Sequence, residues 1–590
     1  MPSTRKTRRT RRGAVLVLSM IFIMVFSVLA VALASFAGAN VEVASNQHRL
    51  NTALLAAQSG LECAKYLIST VPLAETSTNT VSDSEAETVW TTLCTYAQSK
   101  KLDNVTPSVS SIPGGQGLIL TNMGFEKGNG AWTVRFERYD SHPRTIQIRS
   151  TGTDGEAART VSMSTNITKA NDVLSYAIAT RGRMWLTGDT TIYGDVFSAW
   201  DVASISPFNM TNDSTVLGTV NTVLTLNQIK NQSYDMETLN GADLPMFTFG
   251  MTVYDSQGQV VTDSCGTVDE NGFMVDLDGN AVFDEGGCRV TVDYANRVYS
   301  SDDEIQAYHR GINYGQTASS DMPGMDIADY DTSAYKSAIG TTTVSATGST
   351  VSNGIISTTG ISTVTEYFPH ASGSYSTPAS SSSLKLTRYK FMNKTFTDVT
   401  LPSNKNALFS NCTFNGVLYI DCGTPTSTTS YNNVRFDNCT FNGTIITNTP
   451  LAFKWQRNAL YFTGAATFNN QSDVQEATIL APHFNVNLGN TNSVQADNNV
   501  LTGAIVGGIV DVRGNAQIYG TIISMADTTM YSSGYVSNIG ATLDDGGSET
   551  TDISDIGVIS VTPEEDMMLP SGITTPIVIN PDLRTYSETI

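Results

Sequence analysis

Charged residues are scarce in this chain of 590 residues: they make up 15 % of it, against about 25 % in an average soluble domain. Ser, Thr, Asn and Gly take their place, which favours exported β-structure over a cytosolic helical enzyme. The five histidines lie far apart and fit no HExxH or similar metal-binding spacing. Neither a Walker A motif nor a dinucleotide-binding fingerprint is present, so nucleotide chemistry has no support.

Basic residues are also few, and they are unevenly placed. Six of the 34 lie within the first 13 positions, where no acid occurs. Without this leader the chain carries 28 basic and 55 acidic groups, a net charge of −27. A surface this acidic repels phosphate backbones, so we expect no nucleic-acid partner.

The segment 14–41 contains no charged residue and no proline. Its length suits a transmembrane helix, which needs about 20 apolar residues. The basic leader before it should stay in the cytoplasm. We therefore expect a single-pass protein of the cytoplasmic (inner) membrane whose C-terminal bulk is periplasmic or extracellular.

Several export signals are compatible with this start. A secretory signal peptide has an acceptable cleavage site at Ala32-Leu33-Ala34, but its apolar region is usually about 7 to 15 residues long. A twin-arginine signal has its arginine pairs within residues 8–12, but the hydrophobic positions after them match poorly. A type IV prepilin signal would be cleaved after Gly13 and leave a mature helix starting at Ala14. An uncleaved signal anchor is the remaining alternative.

The helical pattern continues beyond the apolar run, which favours the prepilin interpretation over a cleaved signal peptide. Pro72 then ends the pattern. A helix from Ala14 to Thr70 would be about 85 Å long. The heptad seam of this continuation consists of Leu50, Leu54, Ala57, Leu61, Ala64 and Ile68.

The segment Arg12–Leu18, the uncharged run and the segment Ala56–Glu62 together resemble the N-terminal region of the PilX-type minor pilins. The resemblance covers about the first 70 residues. It implies a type IV pilin-like anchor helix, processing between Gly13 and Ala14, and partners among pilus or secretion-type assembly proteins. Ala14 replaces the usual Phe, and Leu18 replaces the Glu of the fifth mature position. That Glu neutralises a neighbouring amino terminus in the family, so the change implies a minor or tip subunit, or an anchor that does not polymerise.

A repeat marks the second half of the chain. Asn411-Cys412-Thr413-Phe414-Asn415-Gly416 recurs 27 residues later as Asn438–Gly443, and Phe468 follows Phe441 at the same distance. A period of this length predicts a solenoid, in this case a parallel β-helix closed by Asn-Gly turns. Stacked coils would place Cys412 and Cys439 about 4.8 Å apart. We expect a buried thiol ladder rather than a disulfide, beside a ladder of Phe414, Phe441 and Phe468.

A second echo widens the β-helix. Gly188–Gly194 matches Gly514–Gly520 in spacing, so we expect the β-helix to begin near residue 175 and to be interrupted. The predicted fold is α+β to mainly β, with a long pilin-like N-terminal helix, a small α+β head and a parallel β-helix with an insertion. The predicted segments are a basic leader (1–13), a transmembrane or assembly helix (14–41), its amphipathic continuation (42–71), a pilin-like head (72–172), first β-helix coils (173–234), an acidic Gly/Asp-rich insertion (235–340), the main β-helix (341–535) and a C-terminal tail (536–590).

The insertion carries a weak calcium candidate. Alternating oxygen side chains suit a hard cation, but Gly279 and Gly287 occupy the wrong positions for an EF-hand loop, and a plain acidic β-turn is the favoured interpretation. Cys265 and Cys288 flank the segment and are candidates for a local disulfide. The candidate calcium ligands are Asp276, Asp278, Asn280 and Asp284.

No compact pair of carboxylates marks an enzyme. The repeat region offers the scattered acids Asp421, Asp437 and Asp473, and a lone His483 beside Phe484 is more often structural than catalytic. We therefore expect no catalytic residues and no cofactor. The function expected is a minor pilin-like or pseudopilin-like envelope protein with a structural or adhesive β-helix facing an extracellular polymer or surface. The alternatives are a membrane-anchored polysaccharide-active enzyme and an inert surface protein.

The prepilin interpretation predicts that protein taken from its own membranes begins at Ala14. N-terminal sequencing and intact mass measure this directly. A start near Ser35 would indicate ordinary secretion, and a retained leader would indicate a signal anchor. Either result would contradict prepilin processing.

Overall fold

The structure is a computed structural model with two compact units. The head unit comprises Met1–Ala74, Val81–Thr168 and Ile577–Ile590, and the solenoid unit comprises Glu75–Thr80 and Lys169–Pro576. The structure describes residues 11–100, 105, 107–124, 130–186, 190–203, 207–210, 214–225, 228, 247–248, 252–263, 265–269, 273–290, 308–309, 312–316, 324–341, 351–366, 386–421, 432–449, 458–464, 466–469, 479–489, 498–513, 515–526, 536–539, 558–564 and 567–589.

Among the described residues, helices are few and strands are many. The α-helices are α1 (Arg11–Ser69), α2 (Asp83–Ser99) and α3 (Ser333–Thr341), with 3₁₀ turns at Asp172–Ser175 and Ile327–Asp329. The strands up to the insertion are β1 (Glu75–Thr76), β2 (Pro107–Ile112), β3 (Gly115–Gly124), β4 (Ala131–Tyr139), β5 (Thr145–Asp154), β6 (Ala157–Lys169), β7 (Ile178–Thr180), β8 (Arg183–Leu186), β9 (Thr190–Ile192), β10 (Val196–Ser198), β11 (Phe208–Met210), β12 (Thr215–Val216) and β13 (Val220–Thr222).

The remaining strands follow in chain order. They are β14 (Phe247–Thr248), β15 (Cys265–Val268), β16 (Met274–Val275), β17 (Tyr308–His309), β18 (Ile312–Asn313), β19 (Val351–Ser352), β20 (Ile355–Ile356), β21 (Thr363–Glu366), β22 (Leu386–Met392), β23 (Thr395–Leu401), β24 (Ala407–Ser410), β25 (Thr413–Ile420), β26 (Asn433–Asp437), β27 (Thr440–Thr447), β28 (Ala459–Thr463), β29 (Thr467–Phe468), β30 (Ile479–Gly489), β31 (Asn498–Thr502), β32 (Ile505–Arg513), β33 (Asn515–Tyr519), β34 (Ile522–Ser524), β35 (Val536–Ile539), β36 (Ile559–Thr562) and β37 (Thr575–Thr589).

The long N-terminal helix is confirmed. Helix α1 has 59 residues, which corresponds to about 88 Å. It ends at Ser69, shortly before Pro72, as the sequence predicts. Its uncharged first half lies exposed, and its second half enters the core of the head unit.

Helix α2 has a well-formed start. The Ser82 side chain accepts a hydrogen bond from the Glu85 backbone N–H, and the Glu85 carboxylate accepts one from the Ser82 backbone N–H, which together form a capping box. The buried face of α2 includes Val89, Trp90 and Leu93. Trp90 also donates its indole N–H to Gln116 Oε1 at 2.7 Å, so the one polar atom of this large buried side chain is satisfied.

The head sheet has the order β37-β6-β5-β4-β3-β2. Adjacent strands from β2 to β6 are antiparallel. Strand β4 alternates buried and accessible residues, with Trp132, Val134 and Phe136 facing the core. The head is therefore an antiparallel meander with helices packed on it.

The C-terminal segment is shared between the units. The sequence analysis treats 536–590 as a C-terminal tail; in the structure, β35 and β36 belong to the solenoid sheet and β37 lies next to β6 in the head. Ile577 and Ile579 are buried in the head core. Alternate burial of Thr575, Ile577 and Ile579 explains why this segment forms a strand.

The parallel β-helix is confirmed. Its coils stack through three ladders of parallel strands. The first ladder contains β22, β24, β26, β28, the second halves of β30 and β32, β35, β8 and β11. The second contains β23, β25, β27, β29, β31, β33, β36, β9, β12 and β17. The third contains β20, the ends of β23, β25 and β27, the starts of β30 and β32, then β34, β7, β10, β13 and β18.

Phenylalanine fills the interior of the repeat coils. Phe414 stacks on Phe441 with ring centroids 5.3 Å apart, and Phe441 stacks on Phe468 at 4.8 Å. A second stack runs beside the first and meets it edge-to-face. Its members are Phe391, Phe409, Phe436 and Phe462. Because offset-stacked and edge-to-face contacts are both favourable for aromatic rings, the two stacks form one continuous aromatic core.

Asparagine stacks on the outside of the same coils. Asn442 donates to Asn415 Oδ1 at 2.7 Å, and Asn469 donates to Asn442 Oδ1 at 2.7 Å. At the preceding corner, Asn411 and Asn438 both adopt a left-handed backbone with φ of 51°. Asparagine tolerates this conformation better than most residues, so the repeated Asn marks the corner of each coil.

The first and last coils of the solenoid unit are neighbours. Strands β34, β35 and β36 pair in parallel with β7, β8 and β9. The two matching motifs of the sequence therefore lie in the same ladder, because β33 pairs with β36 and β36 pairs with β9. We call this junction the seam. The coils after the seam continue through β10 to β13, as the strand pairings show.

Replacement of a stacked ring should destabilise the solenoid unit. We expect Phe441→Ala to lower its free energy of unfolding by about 3 to 5 kcal/mol, the cost of deleting a buried aromatic side chain. Thr467→Ala is the matched control, because Thr467 is exposed on a nearby strand and surface changes usually stay within about 0.5 kcal/mol. Chemical denaturation measures both, and equal destabilisation would contradict the aromatic-core account.

Candidate anchor and assembly helix

The first half of α1 is an exposed apolar surface. None of the residues in its most hydrophobic stretch is buried. Phe22, Phe26 and Phe36 are 55 %, 64 % and 71 % exposed. This surface is far more apolar than a monomeric soluble protein leaves in water. By length and composition, α1 is the helix in the described part of the chain that could cross a membrane.

Two serines in this half bond to the backbone of their own helix. Ser19 donates its hydroxyl to Leu16 O at 2.8 Å, and Ser27 donates to Ile23 O at 2.7 Å. These bonds satisfy the hydroxyl protons of Ser19 and Ser27, which lowers the cost of placing these two side chains in lipid. The first charged side chain after the leader is Glu42.

The predicted processing residues lie at the start of α1. The helix begins at Arg11, so Gly13 and Ala14 belong to its first turns, and Ala14 is exposed. Leu18 is 57 % exposed. An apolar residue stands accessible at the place where the resemblance implies a carboxylate, so this helix offers no acid there to pair with a neighbouring amino terminus.

The second half of α1 packs closely on the head sheet through small residues. A Cβ placed on Gly152 of β5 would lie 2.0 Å from Ala53 O and 2.3 Å from Ala57 N. A Cβ on Gly60 would lie 2.2 Å from Ser150 Oγ and 2.5 Å from the Trp132 ring. At Gly152 the strand touches helix backbone, and at Gly60 the helix touches the side chains of Ser150 and Trp132, so a Cβ at either position would displace a neighbour.

The apolar heptad positions predicted for this half lie largely where the sequence places them. Ala57, Leu61, Ala64 and Ile68 are buried, whereas Leu50 and Leu54 are half-buried. The heptad pattern did not reveal the close contacts of Gly60 and Gly152. The spacing of the small residues Ala53, Ala56, Ala57 and Gly60 was the available signal, because small residues three and four apart share one helix face.

The predicted thiols lie inside the β-helix. Cys412 and Cys439 are buried free thiols. Cys412 donates to Phe391 O at 3.7 Å, and Cys439 donates to Phe409 O at 3.4 Å. The hydrogen bond between the two thiols raises the pKa of Cys439, and burial raises it further. A thiol held protonated in this way is a poor nucleophile, so we assign Cys439 a packing role.

The calcium candidate has the geometry of acidic turns. Asp276 Oδ1 accepts the backbone N–H groups of Asp278 at 3.1 Å and Asn280 at 2.6 Å. Asp284 Oδ1 accepts the Cys288 N–H at 2.8 Å. Each carboxylate thus binds its own turn. Within the described ranges, no three His, Cys, Asp or Glu side chains are grouped to hold a metal ion. Calcium binding stays a prediction.

The proposed disulfide also stays a prediction. Cys288 is exposed at the end of its turn, and the side chain of Cys265 lies outside the described residues.

The acids considered for catalysis hold the β-helix together. Asp421 accepts Lys336 Nζ at 2.6 Å and Asn448 Nδ2 at 3.0 Å. Asp437 accepts the Thr463 hydroxyl at 2.9 Å. Asp473 lies outside the described residues. Burial lowers the pKa of His483 to about 4, so this side chain is neutral at physiological pH.

Comparisons with known proteins bear on the N-terminal helix. Residues 12–62 match the model of the PilX N-terminal family, which confirms the resemblance of this segment. The chain is also similar to the crystal structure of competence-associated pilin ComZ from Thermus thermophilus, at 13 % identity, with 92 % of this chain and 98 % of that chain covered and a TM-score of 0.24. A TM-score this low supports no conclusion about function or fold. The search of curated proteins gives no match.

The close contact of helix and sheet should be intolerant of one methyl group. We expect Gly152→Ala to lower the free energy of unfolding of the head by about 1 to 3 kcal/mol, because the new Cβ meets helix backbone that cannot rotate away. Gly38→Ala is the control, since nothing lies within 4 Å of its Cβ position. Thermal unfolding in detergent measures both, and an unchanged Gly152→Ala midpoint would refute the contact.

Proposed function

We propose that the protein is a minor pilin-like or pseudopilin-like component of the cell envelope. Helix α1 anchors it in the cytoplasmic membrane and joins a pilus-type or secretion-type assembly, and the solenoid unit is displayed outside. The observation that carries this proposal is the division of one continuous helix. Its first half exposes an uncharged apolar surface, and its second half is built into the core of a small head.

The family match supports this role. Residues 12–62 include most of the exposed half of α1 and the small residues that contact the sheet. The family match therefore covers residues from both halves of α1. The apolar Leu18 favours a minor or tip position over a major subunit, because a major subunit needs a carboxylate near the neighbouring amino terminus.

The outside of the β-helix supports an adhesive role. Thr395, Thr413, Thr440 and Thr467 lie in register on the second ladder, one per coil. Two positions further along each strand is a Thr or Asn, and none of these side chains is charged. A regular row of uncharged hydroxyl and amide groups suits an extended neutral polymer, so we propose such a polymer or a surface that displays it as the partner.

We propose no enzymatic activity. Catalysis of polysaccharide cleavage needs carboxylates that are accessible to a substrate and tuned for acid and base roles. Asp421 and Asp437 instead accept hydrogen bonds that join coils or secure the segment around Lys336. These contacts account for both acids as structural groups.

Two charges in the apolar half of α1 should release the protein from the membrane. Val25→Arg with Leu29→Arg places both on one face of the helix, and each costs about 2.5 to 3.5 kcal/mol at the centre of a membrane. We expect the membrane-bound fraction, and attachment of cells to surfaces, to fall together. Carbonate extraction and an attachment assay measure the two outcomes.

The control places the same charges outside the apolar run. Leu55→Arg with Tyr66→Arg uses positions that are 59 % and 73 % exposed on the second half of α1. This variant should keep membrane binding. A Val25/Leu29 variant that remains in membranes would overturn the anchor, and loss of anchoring without loss of attachment would favour an inert surface protein.

A further inference from the structure

The head unit is assembled from chain segments that lie very far apart in sequence. Its last strand, β37, follows residues 169–576, which form all of the solenoid unit except Glu75–Thr80. Ile577 and Ile579 are 3 % and 6 % exposed in the head core. The head therefore lacks a core strand until the end of the chain has returned.

Contacts along the strand show how β37 is held. Ile577 donates its backbone N–H to Ala74 O at 2.9 Å, and Asn580 donates to Thr168 Oγ1 at 3.0 Å. Ser587 and Ser162 lie with their hydroxyl oxygens 2.8 Å apart. These contacts are polar and mostly exposed, so each contributes little alone. The position of β37 next to β6 in the head sheet and the burial of Ile577 and Ile579 add to these contacts.

The two ends of the inserted segment meet inside the solenoid unit. Ala170 donates its N–H to Pro576 O at 2.8 Å, and Thr575 donates its hydroxyl to Ala170 O at 2.9 Å. Lys169 is buried and donates to Ile573 O. In the folded solenoid unit, residue 576 thus lies beside residue 170, and this position fixes where the final strand begins.

The seam explains why these ends meet. The first coil of the inserted segment stacks directly on the last, with Ile178 paired to Ile522 and both side chains fully buried. If the seam opens, residues 169 and 577 are the ends of an open chain of about 400 residues, and the entropy cost of closing such a loop grows with its length. A folded seam removes that cost for the head.

We propose that β37 is a closure strand that makes a complete head conditional on a folded β-helix. A chain that is truncated, or whose coils do not stack, leaves the head without its last core strand. On the proposed function, which this step takes as given, such a chain would not offer an assembly-competent head to a filament. Docking of β37 in the head thereby depends on complete folding of the solenoid unit, to which it is covalently joined.

The test opens the seam in the full-length protein. Ile178→Asp with Ile522→Asp buries two carboxylates against each other in the seam core, which strongly disfavours stacking. Hydrogen exchange in detergent is then followed at the backbone amides of β37. We expect exchange at least tenfold faster than in the parental protein. The control is Tyr193→Asp with Tyr519→Asp, because these side chains are 53 % and 38 % exposed and the carboxylates remain in water.

An engineered disulfide between β6 and β37, which we call the tether, distinguishes loss of β37 docking from general destabilisation of the head. Ser162→Cys with Ser587→Cys joins β6 to β37 at positions already in contact. In the seam variant, we expect the oxidised tether to return β37 exchange to within twofold of the parental rate, and the reduced form to leave it fast. Because the readout needs neither membrane nor filament, failure of the pilin-like role would not affect it. Parental exchange rates in the seam variant, or fast exchange despite the oxidised tether, would overturn the proposal.

Discussion

Stacking of like side chains between successive coils is the interaction on which most of this chain depends. A single coil contains too few apolar residues to form a core, so it becomes stable only when its neighbours cover it. The ring of Phe414 stacks on that of Phe441, and the ring of Phe441 stacks on that of Phe468. The parallel backbone ladders fix the register of these contacts, and the asparagine row outside the coils satisfies polar groups along the same axis. Interior and exterior thus repeat with one period.

The anchor helix solves a different problem with a different set of residues. The segment 14–41 must be compatible with lipid or with other helices, so it carries no charge, and Ser19 and Ser27 bond to their own backbone. The second half of the helix must lie against a sheet, so it carries alanines where the backbone of Gly152 approaches and Gly60 where the Trp132 ring approaches. One uninterrupted helix can serve both surroundings because its backbone hydrogen bonds are internal throughout.

Local patterns of the sequence predicted the parts of the fold that are themselves local. The apolar run predicted the exposed half of α1, and the repeated Asn-Cys-Thr-Phe-Asn-Gly motif predicted stacked coils with Phe414 above Phe441. The similarity of Gly188–Gly194 and Gly514–Gly520 was the one sequence feature related to the seam. It did not predict the pairing of β7 with β34, which joins residues more than 340 positions apart. The return of β37 to the head had no sequence signal beyond the alternation around Ile577, since many strands of this chain alternate in the same way.

The placement of the seam has a consequence for how such a chain can vary during evolution. Whole coils can be gained or lost by duplication of a repeat such as 413–439, because the new coil lies between existing coils and leaves Ile178 opposite Ile522. The positions where the chain leaves and rejoins the head stay beside each other, as Ala170 and Pro576 do here. Relatives of different length can therefore keep an identical head while the size of the β-helix changes in steps of one coil.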